Sequence, residues 1–293
     1  MGPLELVRLA ALMDRSRGIP DLAIGLIDGP VATDHPDLTA GRIREMPGTI
    51  GATCSQASNM ACLHGTFVAG ILSAQRGASA PAICPDCTLL VRPIFSESLS
   101  GSEQMPSVTP RELAAAIIEC VDAGARVINL SLGLARPSIK EEYALEAALT
   151  MALRRGAIVV AAAGNQGTVG SSAITRHPWV IPVVACDVQG RPTSQSNLGG
   201  TIGQRGLSAP GDRIVSLGSE GPSLTLGGTS VAVPFVTGAI ALLWSEFPSA
   251  TASQVKLAMA QPVMRRPSIV PPLLDAAAAY QAMANAAGRR STA

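Results

Sequence analysis

Short apolar runs that alternate with helix-length segments limit this chain to one kind of architecture. Residues 22–28, 88–94, 125–130 and 156–163 are dominated by Ile, Val, Leu and Ala and read as buried strands. Between them lie helical segments. Thr109 stands as a cap before Pro110 and Glu112, opening a helix to about Asp122, and Ile139–Arg155 is a long amphipathic helix with Lys140, Glu141, Glu142 and Arg154 on a solvated face. Strands alternating with helices of this length imply parallel βαβ units and an α/β fold.

At 293 residues the chain is long enough to bury a large core as one unit. Hydrophobic residues make up 47% but aromatics only 3%, so the core must be built from Ala, Val, Leu and Ile, which suits close packing of helix on sheet. A net charge of +1, with no basic run interleaved with aromatics, argues against a nucleic-acid partner. No phosphate-binding glycine loop is present. One domain is expected over 1–293, with its core at about 20–262, a helix in 1–19, and a connector and helix in 263–293. The tail divides into a helix from Thr251 to about Ala260, a proline-rich stretch at 262–272, and an Ala-rich helix over 273–287.

Residues 1–13 form an amphipathic helical pattern interrupted by charges, without the basic start and unbroken apolar centre of a secretion signal. No apolar run of about 18 residues is apparent, so no membrane span is expected. Together with the absence of a long segment before Asp28, this points to a cytoplasmic protein, with a secreted mature form as the alternative.

The chemistry centres on Ser230 in Gly227-Gly228-Thr229-Ser230-Val231-Ala232-Val233-Pro234, where a glycine turn becomes an apolar helix. In the first helical turn its N–H has no intrahelical partner, so a hydroxyl and a free donor point the same way. Acyl transfer needs both, one to attack a carbonyl and one to hold the oxyanion. Taken alone, such a serine reads as a helix cap, and only partners elsewhere in the chain reverse that reading. Only three imidazoles could serve as its base: His35, His64 and His177. His35 and His177 stand beside prolines and read as ordinary loop residues, whereas His64 heads an apolar, small-residue helix. A carboxylate is required to accept from the second ring nitrogen, and Asp28 closes a buried strand before Gly29-Pro30.

The order Asp28, His64, Ser230 is that of subtilisin and differs from those of chymotrypsin and the α/β-hydrolases. With His64-Gly65-Thr66 and Gly228-Thr229-Ser230-x-Ala232-x-Pro234, the chain resembles the subtilisin-like (subtilase) serine proteases. The resemblance implies a three-layer α/β sandwich around a mainly parallel, roughly seven-stranded sheet, and peptide-bond hydrolysis through an acyl-enzyme. It also implies that Asn165, after the apolar run 156–164, supplies the side-chain oxyanion donor, and that Ser131, Leu132 and Gly133 line the substrate cleft by pairing with extended peptide. The pocket floor falls within 170–177. Asp28-Gly29-Pro30-Val31 departs from the usual Asp-Ser/Thr-Gly, and Phe67 and Phe235 stand where many subtilisins carry histidine. The Asp-Gly-Pro-Val variant, Pro93-Ile94-Phe95-Ser96 and the Ala161-Ala162-Ala163-Gly164-Asn165 run are similar to the cyanobactin-maturation protease domains of the PatA/PatG type.

Asp37 matches a position that holds calcium in many subtilisins, but residues 70–87 lack the family's Asn-rich insertion. No calcium site, and no cofactor, is expected. Cys54 with Cys62 and Cys84 with Cys87 are expected to form two local disulfides, with a four-thiolate zinc site as the alternative. Cys120 and Cys186 read as buried and inert. The expectation is therefore a monomeric serine endopeptidase acting on a peptide or protein. The alternatives are a precursor-peptide protease or transpeptidase and, in a different class, an inactive peptide-binding module.

Overall fold

The computed structural model describes residues 2–38, 42–46, 54–95, 108–132, 139–221, 223–260 and 268–291. Seven strands form the central sheet: β1 (Ala23–Asp28), β2 (Ile43–Glu45), β3 (Thr88–Pro93), β4 (Val127–Leu130), β5 (Ile158–Ala162), β6 (Val180–Cys186) and β7 (Leu207–Pro210). Their order is β2-β3-β1-β4-β5-β6-β7, and every neighbouring pair is parallel. The chain winds outward from β1 in both directions, so the carboxyl end of β1 lies at the switch point where α/β sheets place their ligands. Asp28 is the last residue of that strand. A hairpin of β8 (Ile214–Leu217) and β9 (Ser223–Leu226) forms a separate two-stranded sheet.

The helices are α1 (Pro3–Leu6), α2 (Ala10–Arg15), α3 (Met60–Ser73), α4 (Pro110–Asp122), α5 (Ile139–Arg155), α6 (Ala173–Arg176), α7 (Gly200–Arg205), α8 (Thr229–Glu246), α9 (Ala252–Ala260) and α10 (Ala276–Ser291). One layer pairs α3 with α8, which crosses β4 to β7, and the other pairs α4 with α5. The start of α4 follows its sequence signal: Thr109 and Glu112 exchange side-chain and backbone hydrogen bonds in a capping box, with Pro110 in the first turn. Phe67 and Phe235 are fully buried in α3 and α8. Each fully buried Val, Leu, Ile or Phe contributes about 1.5–3 kcal/mol relative to exposure, so the almost unbroken apolar surface of α8 is a principal source of stability.

The structure departs from two expectations. The N-terminal segment is two short helices rather than one, broken where Arg8 takes a left-handed φ of 53°; the break lets Val7, Leu9, Leu12 and Met13 all turn inward. One helix, Thr229–Glu246, is in fact long and apolar enough by length and composition to cross a bilayer, but it is 83% buried inside the fold and serves as the core helix.

The ends of the described chain close on one another. The backbone of Ser208 in β7 donates to Pro272 and accepts from Leu274, the Ala276 N–H donates to the Val7 carbonyl, and Arg8 pairs with Asp275 at 2.8 Å.

Candidate active site

Asp28 is completely buried, and its Oδ1 accepts from the Gly29 N–H at 2.7 Å and lies 2.7 Å from His64 Nδ1. Its Oδ2 is buried and finds no hydrogen-bond partner among the described residues. An unpaired carboxylate oxygen in such a place raises the importance of the one charged partner it has.

The turn after β1 and helix α3 touch through two glycines. A Cβ on Gly29 would sit 1.9 Å from the Ala61 carbonyl oxygen, and one on Gly65 would sit 2.3 Å from that of Pro30. Any side chain at either place would push the imidazole away from the carboxylate. Thr66 completes the attachment, its hydroxyl accepting from the Ala32 N–H at 2.9 Å. Residues 64 to 66 thus supply an imidazole, a close approach and a clamp in three consecutive positions. Asn59 caps α3 by accepting from the Ala61 N–H, so His64 lies just beyond the first turn rather than at the head of the helix.

His64 Nε2 is 3.0 Å from Ser230 Oγ. An ionised Asp28 can only accept, so Nδ1 carries the proton toward it and Nε2 is left to accept from the serine hydroxyl. Burial pushes the His64 pKa down, but the charge of Asp28 and its hydrogen bond together raise it above the ordinary histidine value.

Ser230 is not a helix cap. Gly228 holds that position with a φ of 128°, and no side chain caps the helix. Thr229 instead binds Asn165: its N–H and hydroxyl both donate to Asn165 Oδ1, at 2.9 and 3.0 Å. With its oxygen so engaged, the Asn165 amide turns its NH₂ toward the Gly228 backbone, where a Cβ would lie 3.0 Å from Nδ2.

Pro234 has a local purpose. An ordinary residue there would donate its N–H to the carbonyl four residues back, that of Ser230. Because proline cannot, the carbonyl accepts from Ser131 Oγ at 2.8 Å. Ser131 in turn accepts from Asn129 Nδ2 at 2.8 Å, and Asn129 Oδ1 accepts from the Thr237 hydroxyl at 2.9 Å. These three side chains are buried. Asn129 and Thr237 were not anticipated from the sequence, although each is a lone polar residue within an apolar run.

Of the residues expected to line the cleft, Ser131 turns its side chain inward to Ser230, Leu132 is buried, and Gly133 lies outside the described residues. Within 170–177, Ser172 and Thr175 form a capping box on α6. The remaining imidazoles are held in loops. His35 Nδ1 accepts from the Asp37 N–H, and His177 Nδ1 accepts from the Trp179 N–H. Burial pushes the His177 pKa down.

Cys54 and Cys62 form a disulfide two residues before His64. The second expected disulfide is not present. Cys84 and Cys87 are free, buried thiols that share a hydrogen bond, which raises the pKa of Cys84 and lowers that of Cys87. With Cys54 and Cys62 bonded to each other, four thiolates are not assembled for zinc. Cys120 and Cys186 are buried thiols whose pKa values burial pushes up to about 12. Among the described residues, no group of three His, Cys, Asp or Glu side chains could hold a metal ion.

The Subtilase family pattern matches residues 20–279, further along the chain than the 20–262 expected. Subtilisin DY of Bacillus licheniformis is 32% identical over 242 residues, covering 80% of this chain and 81% of its own. Among solved structures, a variant of the protease domain of PatA superposes with a TM-score of 0.80 at 29% identity, covering 92% of this chain and 97% of that one. Prenylagaramide maturation protease PagA gives a TM-score of 0.80 at 28% identity, with 94% and 98% covered. A parallel seven-stranded sheet, a carboxylate, imidazole and hydroxyl in one hydrogen-bonded line, and a family match over most of the sequence agree: this chain belongs to the Subtilase family of serine proteases.

Proposed function

We propose that this chain is a single peptidase domain over 1–293 that cleaves peptide bonds through an acyl-enzyme on Ser230. The observation that carries the reading is the continuous line from Asp28 Oδ1 through His64 to Ser230 Oγ, with links of 2.7 and 3.0 Å. As Ser230 Oγ attacks the scissile carbonyl, its proton passes to His64 Nε2, and the buried carboxylate of Asp28 stabilises the resulting imidazolium. The Ser230 N–H and Asn165 Nδ2 hold the carbonyl oxygen as it becomes an oxyanion. His64 then gives its proton to the leaving amine and activates the water that releases the acyl group. The backbone of Ser131, Leu132 and Gly133 pairs with extended peptide, and no cofactor takes part.

The substrate is a peptide or protein, taken up by a monomer. Similarity to PagA, which is named for prenylagaramide maturation, and to PatA supports processing of a precursor peptide as the natural role. A fluorophosphonate that phosphorylates or phosphonylates activated serines is expected to label Ser230 in the folded protein, and a peptide library then gives the cleavage preference. Absence of labelling would reduce the chain to a peptide-binding module. Products joined to an added amine instead of water would assign a transpeptidase.

The Cys54–Cys62 disulfide supports the secreted mature form over the cytoplasmic placement, since reducing compartments disfavour such bonds. Intact mass of protein taken from its native compartment, alkylated with and without prior reduction, is expected to show one reducible pair. Full alkylation of Cys54 and Cys62 without reductant would restore the cytoplasmic assignment.

A further inference from the structure

The loop carrying Asn165 is exposed, lies outside helix and strand, and yet must present an amide to within tenths of an ångström. Its stiffness comes largely from one side chain outside it. Asn197 Oδ1 accepts from the Gln166 N–H, the Thr168 N–H and the Thr168 hydroxyl, each at 3.1 Å. Its Nδ2 donates to the Ala163 carbonyl at 3.2 Å and to Gln166 Oε1 at 2.6 Å. These hydrogen bonds grip the loop on both sides of Asn165, while the Asn197 N–H donates to the Gly164 carbonyl at 2.9 Å. Gly164, at a φ of 107°, makes room for the grip: a Cβ there would lie 2.3 Å from Asn197 Nδ2. Behind Asn197 stands a fixed support. Ser196 is buried, and its hydroxyl accepts from the Ala185 N–H of β6 at 3.2 Å. The Gly164 N–H, finally, donates to the Thr229 hydroxyl at 3.2 Å, closing a path from the sheet through Asn197 to the turn before Ser230.

We propose that Asn197 is the positioning residue of the oxyanion site: it touches no substrate, and it holds Asn165 Nδ2 where the oxyanion forms. The inference rests on the assignment of Asn165 as an oxyanion donor. A donor that must first be ordered by the substrate loses much of its advantage, and misplacement by about 1 Å can cost on the order of 10² in rate. Because the charge on the carbonyl oxygen develops after binding, the loss belongs to kcat rather than to KM.

The test is a double-mutant cycle on a peptide amide substrate with Asn165→Ala and Asn197→Ala, the folded fraction being fixed by active-site titration. Asn197→Ala is expected to lower kcat by about 10–100-fold with KM within about twofold. On the Asn165→Ala background it should cost almost nothing more, since the group it positions is gone. Losses that multiply, or a lowered melting temperature with kcat intact, would overturn the inference while leaving the oxyanion assignment standing. An Asn165→Ala variant with unaltered kcat would overturn both. Should Asn197→Ala fail to fold, Asn197→Asp keeps the acceptor bonds to Gln166 and Thr168 and removes the donors. It is expected to move kcat in the same direction, and an unaltered kcat in that folded variant would equally overturn the proposal.

Discussion

Replacing Ser230 by alanine is expected to lower kcat by about 10⁶, the size of the same loss in subtilisin, with little change in substrate affinity. The selectivity of the effect follows from the geometry around the hydroxyl. Among the described residues the Ser230 hydroxyl meets only His64; it caps no helix, and the turn before it is held by Thr229 and Asn165. Alanine is also a good helix residue, so α8 should form as before. The variant should therefore bind a substrate peptide, retain its melting temperature and fail to turn over. The measurement is single-turnover cleavage beside equilibrium binding of the same peptide. Residual turnover within about tenfold of the parent chain would mean that another group attacks.

Asp28→Asn should lower kcat by about 10⁴ and move the pH profile. Oδ1 faces both the Gly29 N–H and His64 Nδ1, so an asparagine that keeps its oxygen there holds both bonds but has no charge to stabilise the imidazolium, whereas the flipped amide sets an NH₂ against both. That favours the tautomer with its proton on Nε2, which cannot accept from Ser230. In the parent chain the Asp28 charge and hydrogen bond raise the His64 pKa above 6.5 against the opposing effect of burial. His64 must be neutral to act as base, so activity rises as pH rises through that elevated value. Removing the charge leaves burial unopposed, and the acid limb of kcat/KM should shift to lower pH even as the plateau falls. An acid limb that stays in place would mean that Asp28 does not govern His64. Stability runs the other way. Since the folded-state pKa of His64 is raised, the ion pair stabilises the fold fully below the unfolded value of about 6.5, and this contribution is lost as pH rises through the folded value. Across that window the site gains activity as it loses cohesion.

Much of the sheet was legible because the inner strands β1, β3, β4 and β5 are short apolar runs, as strands buried on both faces must be. The edges were not. β2 is only Ile43-Arg44-Glu45, too short and too polar to carry a pattern, and β6 contains Pro182, a residue that speaks against a central strand. The helix break at Arg8 was hidden because its cause is tertiary: apolar residues on both sides of it turn toward the same core. At the candidate site, Asp28, His64, Ser230 and Asn165 stood out because the roles proposed for them constrain their neighbours, above all glycines. Asn129, Thr237 and Asn197 act through hydrogen bonds to residues up to 108 positions away, and spacing along a sequence carries no trace of such contacts.

The position of α8 along the chain ties maturation to catalysis. All seven strands of the main sheet are synthesised before Thr229, so the face spanning β4 to β7 stays bare until the helix that begins there has emerged. Parallel sheets form slowly because each pairing closes a long loop, and an uncovered face cannot yet stabilise them. The covering segment also brings Ser230, the proposed nucleophile, at its second residue. A nascent chain lacking it would possess Asp28, His64 and Asn165 but neither a finished core nor a serine to attack with. The covering of that face and the proposed nucleophile are thus delivered by the same eighteen residues, and a chain that stops short of them has neither.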